Sequence, residues 1–273
     1  MIPHVGENAA AAEGKARRSP AWRFAAGIVR PGMNVLMGKD WQGLEKIPSD
    51  GCIVVANHVS AVDPLAVLHA VYRSGTTPHI MAKESLFRVP VLGALMRKVQ
   101  LIPVARGDRE KSQQSFEAAY EIIQQGGAVV IYPEGTLTKD PGLWPMRMKT
   151  GAARLALITG APVIPLSHWG THRFLPRGKK LPRILPRRRY SLRADKPVDL
   201  SDLRGRPLSR TLLAEATQRI EQALTDGVAE LRGEPAPELI WDRNIHQRVP
   251  RDQLRARAEQ AENEAGKKAK EED

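Results

Sequence analysis

The residues with the clearest chemical potential follow the first strongly apolar run. Cys52 to Ala56 reads CIVVA, and the chain then presents Asn57-His58-Val59-Ser60-Ala61-Val62-Asp63 before Pro64. A neutral imidazole, with an intrinsic pKa of about 6.5, can take a proton from an alcohol in a transition state. A carboxylate on its other ring nitrogen fixes the tautomer and favours the imidazolium that forms. The five-residue offset from His58 to Asp63 lets the acid curl back to the ring across a strand-to-helix turn. The same residues admit a plainer reading, with Asp63 as a helix N-cap, Pro64 at the first helical position and His58 a polar loop residue. The chain has no Gly-x-Ser-x-Gly elbow, and Cys52 sits inside the apolar run, so neither offers a nucleophile. On the first reading the activated hydroxyl belongs to a substrate.

Two further strand ends carry polar groups. Arg106, in Val104-Ala105-Arg106-Gly107-Asp108-Arg109, has a planar fork of donors that suits a phosphate. Taken alone it is as readily an arginine on a solvated loop. In Tyr132-Pro133-Glu134-Gly135-Thr136-Leu137-Thr138, Glu134 precedes a glycine whose backbone can approach a ligand closely. That segment reads as a polar clamp on substrate hydroxyls or as an ordinary turn. Together the three segments describe transfer to a hydroxyl on a phosphorylated acceptor.

The elements that must position them alternate. Strands are expected at 52–56, 78–82, 100–105, 128–133, 161–167 and 190–195. Helices are expected at 64–73, 111–127, 150–160 and 207–232, the last with Leu212, Ala216, Ile220, Leu224 and Leu231 inward. This rhythm predicts an α/β fold, a single domain whose mostly parallel sheet is flanked by helices. Its ligand site should gather beyond the carboxyl ends of the strands. A disordered lead is expected over 1–18, the domain over 19–232 with its motif-bearing core at about 45–200, and a linker and charged tail over 233–273. Residues 20–38 form a basic amphipathic segment, either an interfacial anchor or a helix packed on the domain.

Hydrophobic residues at 42% and charged residues at 26% are ordinary for a globular chain of 273 residues. A net charge of +12 is not, and it favours a polyanionic partner: nucleic acid, an anionic membrane or a phosphorylated substrate. No helix-turn-helix, RNP or zinc pattern supports nucleic acid. From Arg173 to Arg193 there are nine lysines and arginines and no acidic residue, and each is worth about 1 kcal/mol near an anionic leaflet. One cysteine makes no internal disulfide, which fits a reducing cytosol. No signal-peptide core opens the chain. The longest uncharged stretch, Leu155 to His172, contains Pro162 and Pro165, so it is not a transmembrane helix. His168 and His172 lie close in sequence, but no metal-binding cluster is visible.

The chain resembles the bacterial glycerolipid acyltransferase family, typified by 1-acylglycerol-3-phosphate acyltransferases, over roughly residues 45–200. Four blocks match in the family's order. They are His58 through Asp63, Arg106, Tyr132-Pro133-Glu134-Gly135-Thr136, and Ala161-Pro162-Val163-Ile164-Pro165. Ala82-Lys83-Glu84-Ser85-Leu86-Phe87 and Met148-Lys149-Thr150-Gly151 also look like family segments. The resemblance implies that His58 is the general base, oriented by Asp63, and that the substrate alkoxide attacks an acyl thioester directly. Arg106, Glu134, Gly135 and Thr136 would hold the glycerol phosphate. Leu137 stands where the family usually has arginine, so a second phosphate contact is either lost or supplied by another basic residue, Lys139, Arg147 or Lys149; these and Lys83 are the candidate phosphate or membrane contacts. No cofactor or metal is implied beyond acyl-CoA or acyl carrier protein as co-substrate. The expected partners are that donor, a lysophosphatidate-like acceptor and an anionic membrane surface, with no nucleic acid. The expected location is cytoplasmic, peripheral on the inner face of the cell membrane. Glycerol 3-phosphate or another lysolipid or glycolipid remains an alternative acceptor, and a hydrolase using the His-Asp pair on water remains an alternative reaction.

Overall fold

The apolar run before His58 becomes the centre of a seven-stranded sheet. A computed structural model describes residues 19–105, 107–253, 255–261 and 264; the expected lead, Arg106 and the end of the tail lie outside the described residues. The element order is α1 (Pro20–Leu36), β1 (Met37–Gln42), β2 (Cys52–Val55), α2 (Asp63–Ser74), β3 (Pro78–Lys83), α3 (Pro90–Lys98), β4 (Ile102–Val104) and α4 (Arg109–Gln124). There follow β5 (Ala128–Ile131), α5 (Gly151–Thr159), β6 (Val163–Trp169), α6 (Thr171–Phe174), β7 (Arg188–Ala194), α7 (Arg210–Arg232), β8 (Ile240–Asp242) and β9 (Gln247–Val249).

The strand order is β1-β7-β6-β2-β5-β3-β4. β2 runs parallel to both neighbours, with Ile53 opposite Val129 on one side and Val163 on the other. β3 and β4 continue the parallel set. The carboxyl ends of β2 to β6 therefore share one edge of the sheet, as the alternating pattern predicts. β7 turns back antiparallel to β6, and β1 pairs parallel to β7 at the far edge.

The strand period of two sorts β2 between the faces. Ile53 and Val55 pack with Ile123, Leu155 and Ile220 from α4, α5 and α7, whereas Cys52 and Val54 pack with Val67 and Val71 of α2. Burying each such aliphatic side chain contributes roughly 1.5–3 kcal/mol, which keeps β2 and the turn after it rigid. α7 lies flush on β6 because a Cβ at Gly227 would meet Ser167 Oγ at 2.3 Å.

The two readings of residues 20–38 combine. α1 buries Trp22, Ala25 and Met33 against the domain, and its opposite face exposes Phe24, Ile28 and Val35. One expectation needs correcting: residues 233–250 are not a linker. β8 and β9 form a hairpin that buries Ile240, Asp242 and Val249. Arg147 N donates to the Trp241 carbonyl at 3.0 Å, and the Arg147 guanidinium pairs with Asp242 at 2.5 Å. Three-residue strands are too short to show a period in sequence. Among the described residues no helix is long and apolar enough to cross a membrane.

Candidate active site

β2 carries the chain to the edge, where Asn57 to Val62 form the turn into α2. Asp63 is the first helical residue, but its side chain caps nothing ahead of it. It points back into the turn, where Oδ2 accepts from Val59 N and Ser60 N at 2.7 Å each and lies 3.0 Å from His58 Nδ1. The structure thus places the Asp63 carboxylate against the imidazole and not at the helix cap. The acid belongs to the imidazole, and Pro64 alone eases the helix start.

The electrostatics follow from burial. Asp63 is completely buried, whereas 17% of the His58 side chain is exposed. Burial pushes the Asp63 pKa up, but neighbouring His168 and the His58 bond outweigh it and hold the carboxyl below its ordinary value. An ionised Asp63 only accepts, so His58 Nδ1 carries the proton and Nε2 is left as the basic nitrogen. The ring stacks on Tyr132 with centroids 4.2 Å apart and planes 22° from parallel.

The loop after β5 is laced to this turn. Thr138 N donates to the His58 carbonyl at 2.6 Å. Glu134 is fully buried, and its oxygens accept from His58 N at 2.9 Å and Met146 N at 3.0 Å. Burial pushes its pKa up to about 8, against the pull of the two backbone donors. The expected substrate-holding role of Glu134 therefore gives way to a bracing one: both oxygens are occupied by backbone, and none of the residue reaches the surface.

Gly135 has φ +71°, a left-handed conformation that favours glycine, and a Cβ there would lie 3.2 Å from Lys149 Cε. Half-buried Thr136 follows it in the same turn. Exposed Lys149 thus stands beside the Gly135 turn. Arg147 does not replace the missing family arginine, because Asp242 holds it. Lys139 is exposed on the same loop. Lys83 is exposed at the end of β3, two strands from β2. β4, which leads toward Arg106, ends on the same edge one strand further.

Three contributors were missed in sequence. Arg243, just past β8, donates to the Glu134 carbonyl, and Arg177 donates to the Thr138 carbonyl, so each brings a cation to this loop. Arg177 lies in the basic stretch; Arg243 gave no local signal. His168 is hydrogen-bonded to Asn57 and stands 3.7 Å from Asp63 Oδ2.

Residues 40–169 match the family model described as Acyltransferase. A chloroplastic 1-acyl-sn-glycerol-3-phosphate acyltransferase of Brassica napus is 33% identical over 143 residues, covering 52% of this chain and 40% of that protein. The 1-acyl-sn-glycerol-3-phosphate acyltransferase of Borreliella burgdorferi is 29% identical over 133 residues, covering 48% of this chain and 51% of that protein. The chain thus spans about half the length of these relatives, or less. The crystal structure of the 1-acyl-sn-glycerophosphate (LPA) acyltransferase PlsC from Thermotoga maritima superposes with a TM-score of 0.60 at 25% identity, covering 79% of this chain and 81% of that one.

Proposed function

We propose that the chain is an acyltransferase of the family its residues 40–169 match, and that it transfers a fatty acyl group from a thioester to the free hydroxyl of 1-acylglycerol 3-phosphate, giving phosphatidic acid. The observation that carries this reading is the 3.0 Å contact between His58 Nδ1 and a buried carboxylate, which reserves Nε2 for a substrate proton. The acceptor hydroxyl gives its proton to Nε2 as its oxygen attacks the thioester carbonyl. The C–S bond then breaks, and the imidazolium returns the proton to the departing thiolate. Asp63 steadies the ring in both states.

The relatives named above, whose printed names specify 1-acyl-sn-glycerol-3-phosphate as acceptor, support that choice. For its phosphate we assign Arg106 together with cations around the Gly135 turn. Lys149 and Arg243 supply the charge that Leu137 does not, and Thr136 offers a hydroxyl. The donor is acyl-CoA or acyl carrier protein, and no further cofactor enters the steps. The protein works peripherally at the inner face of the cell membrane. Support comes from exposed Phe24, Ile28 and Val35 on α1, and from Leu181, Ile184 and Leu185 among the lysines and arginines before β7.

A lipid product assay tests the reading. One acyl-CoA is offered with 1-acylglycerol 3-phosphate, glycerol 3-phosphate, several other lysophospholipids or water alone. Phosphatidic acid as the main product supports the proposal. A different acylated lipid would move the acceptor assignment, and free fatty acid formed without acceptor would make the protein a thioester hydrolase.

A further inference from the structure

His168, next to last in β6, has no part in the steps above, yet its bonds converge on them. It is completely buried. Its backbone N–H donates to Asn57 Oδ1, and Asn57 Nδ2 donates to its carbonyl, both at 2.9 Å. The side-chain amide of Asn57 thereby extends the β2–β6 pairing beyond the end of the strand. The ring Nε2 lies 2.6 Å from the Asn57 carbonyl oxygen. A carbonyl only accepts, so Nε2 carries the proton. Burial pushes the imidazole below its ordinary pKa, against the pull of Asp63 and the Asn57 carbonyl.

The Asn57 carbonyl and the His58 N–H belong to one planar peptide unit. His168 holds its oxygen at 2.6 Å, and Glu134 holds its nitrogen at 2.9 Å. Rotating this plane is the simplest way to swing the His58 ring off Asp63, and both handles that would resist rotation come from elsewhere in the chain. A residue that merely filled core space would need no donor at this point.

We propose that His168 is a positioning residue: by fixing the oxygen end of the peptide before His58, it sets where His58 Nε2 meets the acceptor hydroxyl. This inference rests on the reading of His58 as the base.

The test compares two substitutions in the full chain, using acyl-CoA and 1-acylglycerol 3-phosphate. His168→Gln puts an amide nitrogen where the imidazole Nε2 stood, and His168→Met fills similar space without a donor. His168→Gln should keep kcat within about 3-fold of wild type, while His168→Met loses about tenfold or more in kcat at unchanged KM for both substrates. A purely structural role would lower the melting temperature and leave turnover per folded molecule intact. Should His168→Met fail to fold, His168→Asn, whose donor sits at the Nδ1 position, replaces it. Wild-type kcat in the folded substitute, or equal damage in His168→Gln, overturns the inference while leaving the reaction intact. Absence of acyl transfer by the wild type would overturn both.

Discussion

Replacing Glu134 with glutamine tests the bracing role most sharply. The carboxyl accepts one hydrogen bond on each oxygen, from His58 N and Met146 N. An amide has one oxygen, so one buried N–H would face an NH2 group. Leaving a buried donor unsatisfied costs about 1–3 kcal/mol. For a chain of this size that is a fall of about 2–12 °C in melting temperature. The pH dependence has a fixed sign. The folded pKa of Glu134 is raised from 4.5 to about 8 by burial, so between those values the folded state binds more protons than the unfolded one. Wild-type stability therefore contains a term that falls as pH rises through this window, and Glu134→Gln lacks it. The stability gap should be widest near pH 5, close as pH rises and reverse by pH 8, because a rise of this size is worth more than the lost hydrogen bond. Urea unfolding of both proteins at several pH values measures it. A gap that grows in favour of wild type as pH rises, or no gap at any pH, would refute the buried, doubly bonded carboxyl.

Other outcomes follow from the same geometry. Asp63→Asn keeps the size of the group but loses the charge-assisted bond to His58, worth about 1.5–3 kcal/mol. Thioester turnover should fall by roughly 10- to 150-fold with little change in acceptor KM, read by release of free CoA thiol. Arg243→Ala removes a cation from the Glu134 carbonyl and should raise acceptor KM more than thioester KM in the same assay. Leu181→Asp combined with Leu185→Asp places acids on side chains that are 82% and 84% exposed. Sedimentation with anionic vesicles should drop, while activity on a short-chain acceptor dispersed in detergent is kept.

The motif at the heart of the site was legible because it is local. An apolar run that must be a strand, followed at fixed offset by His58 and Asp63, leaves little freedom to the turn between them. What pattern reading could not supply was contact across the chain. Glu134 looks like a ligand in Glu134-Gly135-Thr136 because nothing nearby reveals that Met146 N and His58 N will claim its oxygens. Arg147 looked available because Asp242, its partner, lay in a stretch taken for linker. Asn57 was visible, but its partner His168 lies 111 positions away, and only the pairing of β2 with β6 brings them together. The antiparallel return of β7, and β1 added beyond it, likewise depend on sheet closure rather than on any local period.

The central claim is that His58, held by Asp63, removes the proton from a lipid hydroxyl. It is tested most directly by mass-spectrometric quantification of phosphatidic acid made from acyl-CoA and 1-acylglycerol 3-phosphate by wild type and His58→Ala, each verified as folded. A loss of about 10²-fold or more in product formation is expected, the usual scale for deleting a general base. A folded His58→Ala protein that forms phosphatidic acid at the wild-type rate would contradict the account.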